Sequence, residues 1–205
     1  MPLTAIALNC TLKSDASETS STDTMIAVLA KALGEHDVTV TETVRVAALN
    51  IKPGVTSDEG EGDEWPALRA KILRHDILIL GTPIWLGQPS SIAKRVLERM
   101  DAFLDETDDQ GRMPSTGKVA VCAIVGNEDG AHASSALMFQ ALNDVGWTIP
   151  PGAACYWVGE AMGDKDFKDL KQTPEKVQQT ADMLASNAAH MAALLRQNPF
   201  PGVEE

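Results

Sequence analysis

The chain has 205 residues, 44% of them apolar, and a formal net charge of −12. The apolar share is ordinary for a globular protein and argues against global disorder, and the length suits one domain, 1–205, with a substantial core. The acidity leaves no basic surface to release counterions, so neither nucleic acid nor an anionic membrane is expected as a partner. No apolar run reaches transmembrane length, and Met1-Pro2-Leu3-Thr4 carries no positive region before an apolar segment. A cytoplasmic location is expected. Cys10, Cys122 and Cys155 are widely separated and lie in or beside apolar strand patterns. Buried thiols are expected there, without a Cys-x-x-Cys pair and without a zinc or iron–sulfur site.

Strand and helix patterns alternate along the chain. Thr4 to Leu8 reads as a short apolar strand. Thr22 to Leu33 places Met25, Ile26, Val28, Leu29 and Leu33 at helical spacing, closed by Gly34. Val38 to Val46 alternates valines with Thr39, Thr41, Thr43 and Arg45, broken by Glu42, as a half-buried strand near a sheet edge does. Lys52 to Glu64, rich in Pro, Gly, Ser and acids, reads as a solvated loop with a charged tip. Trp65 to Leu73 is a short helix, Ile77 to Leu80 a strand buried on both faces, and Gly81-Thr82-Pro83 a turn presenting Trp85. Ser90 to Leu104 is a long helix, and Asp105 to Gly117 a second acidic loop. Lys118 to Val125 gives a fourth strand and Ser134 to Val145 a helix. Trp147 to Val158 holds a fifth strand, interrupted by Pro150-Pro151-Gly152. The last helix spans Pro174 to Leu195, with Thr173 as cap, Pro174 at the first helical position, and an apolar face that includes Val177, Met183, Leu184, Met191, Leu194 and Leu195.

Five strands alternating with five helices predict an α/β fold: a doubly wound parallel sheet covered on both faces. Such a sheet binds ligands at the carboxyl ends of its strands, where the winding reverses. For the order 2-1-3-4-5, the loops after strands one, three and four meet there.

The first of these loops, Asn9 to Thr22, is crowded with hydroxyls and opens into a helix, whose free amides and dipole favour an anion. Ser20, Ser21 and Thr22 add hydroxyl donors and Lys13 a charge, as a monophosphate requires; one of the same hydroxyls also suits an N-cap. The loop has neither the P-loop nor the Gly-x-Gly-x-x-Gly pattern. The second loop, Thr82 to Gln88, offers backbone groups and the flat Trp85 ring, either to a heteroaromatic ligand or to the following helix. The third, Gly126-Asn127-Glu128-Asp129-Gly130-Ala131-His132, allows close backbone approach and supplies Asn127 for a ring edge. His132 either donates to a ligand or belongs to a helix start.

Asn9-Cys10-Thr11-Leu12-Lys13, Ser20-Ser21-Thr22-Asp23-Thr24, Gly81-Thr82-Pro83-Ile84-Trp85 and Gly126-Asn127-Glu128-Asp129-Gly130 together resemble the flavodoxin-like NAD(P)H-dependent FMN reductases, including the branch related to iron–sulfur flavoproteins. Tyr156-Trp157-Val158-Gly159-Glu160-Ala161-Met162-Gly163 is similar to that group as well. The resemblance implies that Thr11, Lys13, Ser20, Ser21 and Thr22 take the FMN phosphate and ribityl end. It implies that Pro83, Ile84, Trp85, Leu86 and Gly87 line the isoalloxazine. Asn127, Glu128, Asp129, Gly130 and His132 then contact its pyrimidine side. Thr11 and Lys13 stand where many members have a serine and an arginine. The cluster-binding cysteines are missing, so flavin alone is the implied cofactor, with NAD(P)H as co-substrate.

The function expected from this resemblance is an FMN-dependent oxidoreductase that takes hydride from NAD(P)H and reduces a small acceptor: a quinone, a flavin or another aromatic. Hydride passes between cofactors, so no protein acid, base or nucleophile is named as catalytic. The rivals are a flavodoxin-type electron carrier without its own substrate, and a cofactor-free scaffold. A homo-oligomer is expected, with Phe139, Trp147, Tyr156, Trp157 and the last helix either supplying its contacts or packing in the monomer core.

Overall fold

A computed structural model describes residues 2–161 and 163–203. Met162, in the last segment of the family resemblance, lies outside the described residues, as does Met1. The strands are β1 (Leu3–Asn9), β2 (Val38–Arg45), β3 (Ile77–Trp85), β4 (Gln88–Pro89), β5 (Val119–Gly126) and β6 (Ala154–Val158). The helices are α1 (Ser21–Gly34), α2 (Trp65–Leu73), α3 (Ser91–Met100), α4 (Ala131–Asp144) and α5 (Glu175–Gln197), with short 3-10 turns at Val46–Ala48, Asp101–Leu104 and Phe167–Asp169. The sheet order is β2-β1-β3-β5-β6, all parallel, with β4 pairing antiparallel to β3. Setting aside the two-residue β4, this is the expected flavodoxin-like order.

Alternation along β1 explains why both sheet faces need cover. Ala5 and Ala7 join one core with Met25, Leu29 and Leu33 of α1 and the α5 residues Ala181, Leu184, Ala185 and Ala188. Ile6 and Leu8 join the other, with Trp65, Leu68, Val96, Met100, Phe103, Met138 and Leu142. Burying each large aliphatic side chain contributes about 1.5–3 kcal/mol, so the two layers hold the central strands firmly. Small residues on the first face let α1 and α5 lie close. Cβ on Gly81 would stand 2.8 Å from Ile26 Cδ1, so glycine is what admits α1 onto β3.

Several boundaries differ from the sequence reading, each for a local reason. Gly81, Thr82 and Pro83 form no turn: they stay in β3, paired with Ala123, Ile124 and Val125. The chain reverses later, at Leu86-Gly87, where φ is +53° and +75°. Two successive positive φ values make the tight hairpin that matches strand twist. The helix after β5 begins at Ala131 instead of Ser134, because Gly130 at φ +120° turns the chain directly into it. Only Ala154–Val158 of the fifth-strand segment pairs as a strand; Thr148 makes an isolated bridge to Val119 before the prolines intervene. The helix pattern of residues 90–104 tightens into a 3-10 turn at Asp101, leaving Leu104 exposed. Pro174 occupies the cap position of α5 without a side-chain cap bond, so Thr173 does not cap it. The buried face of α5 is mostly alanine, and Met183 and Leu194 point outward.

The acidic loop 52–64 is more than a hydrated tip. Asp63 and Arg99 form an ion pair at 2.8 Å with both side chains fully buried. Arg99 also donates to the carbonyls of Lys52 and Thr56, each at 2.9 Å, so it fastens the loop to α3. Burial pushes the Asp63 carboxyl up, but the N–H donors of Glu59, Trp65 and Lys52, with Arg99, outweigh it and lower it to about 2. All three cysteines are free and buried. Burial raises the thiol pKa of each, that of Cys155 to about 12, so none is poised as a thiolate. Trp147 is buried in the core, while Tyr156 stays partly exposed on the outer strand. Among the described residues no helix is long and apolar enough to cross a membrane, and no group of three or more His, Cys, Asp or Glu residues is placed to hold a metal ion.

Candidate functional site

The carboxyl ends of β1, β3 and β5 meet where the order reverses, and a cleft of about 200 Å³ opens there. Its lining includes Thr11, Lys13, Ser20, Ser21, Thr22, Pro83, Ile84, Trp85 and Asn127. The three loops singled out in the sequence therefore converge. A larger depression of about 560 Å³, lined by parts of the acidic loop before β5 such as Asp108, Arg112 and Met113 and by Pro199 and Phe200, lies elsewhere and touches none of them.

The polar end of the cleft is built around the start of α1. Ser20 is its N-cap: Asp23 N donates to Ser20 Oγ at 3.2 Å, while Ser20 N donates to Asp23 Oδ2 at 2.8 Å. That reciprocal capping box fixes the first turn and leaves the Ser21 and Thr22 amides ahead of the first intrahelical acceptor. Asn9 reaches from β1 to donate to Ser20 Oγ and Asp23. Its Oδ1 in turn accepts from Thr11 N at 3.0 Å. Ser90, the N-cap of α3, donates to Cys10 O at 2.6 Å, and Ser90 N donates to Thr82 Oγ1 at 3.0 Å. One polar web thus ties the ends of β1 and β3 to two helix starts.

Arg45 completes it and was not legible in the sequence. At the end of β2, only 8% of its side chain is exposed, and it pairs with Asp23. The same guanidinium donates to the carbonyls of Lys13, Asp15 and Glu18, at 3.3, 3.1 and 3.3 Å, and so shapes the whole first loop. Burial pushes the Asp23 carboxyl up, but hydrogen bonds from Ser20 and Asn9 and the charge of Arg45 hold it below the usual carboxylate range. Lys13 is paired with Glu18.

The apolar end is made by Pro83, Ile84 and Trp85 as β3 leaves the sheet. Trp85 is 54% exposed and Leu86, at the hairpin tip, 91%. The hairpin leans on the third loop. Leu86 N donates to Glu128 Oε1 at 2.8 Å, and a Cβ on Gly130 would fall 2.6 Å from the Gly87 backbone. Leu86, Gly87, Glu128, Asp129 and Gly130 therefore stand behind the cleft and shape it, outside its lining. His132 sits in the first turn of α4, and its Nε2 lies 3.0 Å from the Tyr156 hydroxyl, facing a different depression.

Four lining residues come from a segment the sequence reading did not single out for the site. Trp157 of β6 and Asp166, Phe167 and Lys168 of the following turn close the cleft on the β6 side. The Trp157 and Phe167 rings lie 5.5 Å apart, tilted. A second aromatic wall therefore exists, supplied by the next strand instead of the fourth-strand loop. The aromatic pair Trp157 and Phe167, ten residues apart, was the available signal.

A flat ligand with an anionic tail suits this division into polar and aromatic ends, and the comparisons agree. The family model for NADPH-dependent FMN reductases matches residues 4–162. A Mycobacterium bovis protein described as the divalent metal cation transporter MntH is 36% identical over 201 residues, 95% of this chain but only 29% of that protein. The 8-demethyl-8-aminoriboflavin-5'-phosphate synthase of Streptomyces davaonensis is 33% identical over 218 residues, covering 98% of this chain and 81% of that one. Among solved structures, RosB with the bound intermediate 8-demethyl-8-formylriboflavin-5'-phosphate superposes with a TM-score of 0.86 at 30% identity, over 97% of this chain and 82% of that one. The apo form of the NADH:FMN oxidoreductase EmoB shares the fold, with a TM-score of 0.64 at 18% identity, over 98% and 95% of the chains. This chain belongs to the NADPH-dependent FMN reductase family, whose cofactor is FMN and whose reductant is NAD(P)H.

Proposed function

We propose that this protein holds FMN in the cleft at the ends of β1, β3 and β5, takes hydride from NAD(P)H and reduces a small aromatic acceptor, a quinone or a free flavin. The observation that carries this reading is the convergence of a hydroxyl- and cation-bearing loop with an aromatic wall on one cleft. The donor set fits the cofactor: the free α1 amides and the Ser21 and Thr22 hydroxyls suit a phosphate dianion, and Lys13 stands on the same cleft, paired with Glu18. Bound there, FMN would supply the redox-active ring through which reducing equivalents pass from nicotinamide to acceptor.

The chain's own residues bind, orient and shield. Thr11, Ser20, Ser21 and Thr22 surround the phosphate and ribityl end. Pro83, Ile84 and Trp85 cover one ring face and keep water from it. Asn127 Nδ2 donates to Gly163 O at 3.2 Å, which leaves its Oδ1 to accept from a ring N–H. Glu128 acts through the hairpin, holding Leu86 N so that Trp85 keeps its place. His132 takes no part, being turned to Tyr156.

Anaerobic stopped-flow mixing with NADPH and with NADH tests the reading. Bleaching of the flavin absorbance, followed by recovery on adding a quinone, is expected. A flavin that stays oxidised with both nicotinamides returns the protein to the electron-carrier alternative. A second reading rests on the near full-length match to a flavin-modifying protein: the cleft accepts riboflavin phosphate as substrate and releases it altered. The mass of the flavin recovered after turnover separates the two, since a reductase returns it unchanged.

A further inference from the structure

We propose that Lys168 is the residue that selects FMN over riboflavin, by placing an ammonium with spare donors beside the start of α1. The inference rests on the flavin reading above. After β6 the chain crosses back over the strand ends. Gly159 N donates to Gly126 O at 2.9 Å, Asn127 donates to Gly163 O, and Lys168 N donates to Ser21 Oγ at 3.3 Å. This path carries Lys168 across the sheet to the helix terminus that the sequence reading assigned to an anion.

The turn that bears it is fixed. Asp166 and Asp169 cap one another across Phe167–Asp169, and Phe167 between them is buried against Trp157. Lys168 lines the cleft together with Ser20, Ser21 and Thr22. Its ammonium forms long ion pairs with Asp166 and Asp169, at 3.9 and 3.6 Å, neither short enough for a hydrogen bond. The other cations are held by direct hydrogen bonds: Lys13 to Glu18, and Arg45 to three carbonyls and Asp23. Glu18, Asp23, Asp166 and Asp169 make this end of the molecule acidic. A neutral ribityl hydroxyl tolerates that field, but a phosphate dianion needs a cation with donors to spare. Of the three, the Lys168 ammonium meets that need.

The test titrates the full chain, freed of flavin, with FMN and separately with riboflavin, following quenching of flavin fluorescence for wild type, K168A and K168R. A charge-assisted phosphate contact in a partly exposed site predicts an FMN affinity about 10-fold weaker in K168A. Riboflavin affinity should be unchanged, K168R should largely restore FMN binding, and added salt should narrow the difference. Equal FMN affinity in K168A and wild type overturns the proposal. So does a parallel loss for both flavins, which makes the lysine a structural part of the turn. Wild type that binds neither flavin brings down the flavin reading itself, a result distinct from either.

Discussion

The two ends of the cleft are built on opposite plans. At the polar end Asn9, Ser20, Asp23 and Arg45 satisfy one another in a closed web, largely out of solvent. At the ring end a hairpin with an exposed Trp85 and a more exposed Leu86 rests on the Glu128 carboxylate and the bare backbone of Gly130. A web of this kind holds the α1 terminus and its free amides in one place, as recognition of one charged group requires. An adjustable apolar edge suits partners that differ, as a nicotinamide and an acceptor do when they visit the same ring in turn. On the proposed function, this difference puts cofactor specificity at one end and substrate tolerance at the other.

The largest effect should come from breaking the web. Arg45→Met removes the partner of a partly buried carboxylate and releases three loop carbonyls, so a loss of about 2–3 kcal/mol is expected in urea unfolding. FMN affinity should fall with it. The web also sets an acid limit. The folded Asp23 carboxyl is held below its unfolded value, so its contribution is fully present above about pH 4 and is lost as pH falls through that range. Stability measured against pH should drop there, and Asp23→Asn should flatten that part of the profile.

Gly130→Ala attacks the other end. The new Cβ would meet the Gly87 backbone, and φ +120° disfavours any side chain. A cost of about 1–3 kcal/mol is expected, with the hairpin displaced. Because the α1 terminus is untouched, FMN and riboflavin should weaken by the same factor. A loss confined to FMN would show that the two ends are not independent. Trp85→Ala should do less to the fold, since the ring is half exposed. It should leave the melting temperature nearly unchanged while weakening both flavins, through loss of stacking area.

What the sequence could disclose follows the range of the interactions involved. Strand and helix order was readable because apolar periodicity is local, and the loops after strands one, three and four could then be placed together by topology alone. The hydroxyls of Ser20 to Thr22 announce themselves by sitting before a helix. Arg45 does not: it looks like the polar face of an edge strand until folding brings the chain 22–32 residues upstream beneath it. Lys168 lies in a short turn without periodicity, and its contact with Ser21 spans 147 residues. Arg99 and Asp63 are hidden for the same reason, since a buried ion pair between a helix and an acidic loop leaves no local pattern. The Gly-Thr-Pro stretch misleads in the opposite sense. Turn-prone residues are held in a strand by seven-residue pairing to β5, whose ladder outweighs their local preference.

The smallest effect tests the ring end most sharply. Leu86 carries φ +53° with its side chain almost wholly in water, a conformation that disfavours a branched apolar residue by about 1 kcal/mol and gains no burial in return. Asn suits that position of a two-residue hairpin far better. Leu86→Asn should therefore raise stability by about 0.5–1 kcal/mol, seen as a small increase in melting temperature. If the leucine serves the fold, activity should stay level or rise with it. If it is kept as an apolar contact for the visiting acceptor, KM for a quinone should rise while FMN affinity and the rate of flavin reduction by NAD(P)H stay unchanged. That split would locate acceptor recognition at the hairpin tip, separate from the groups that hold the cofactor.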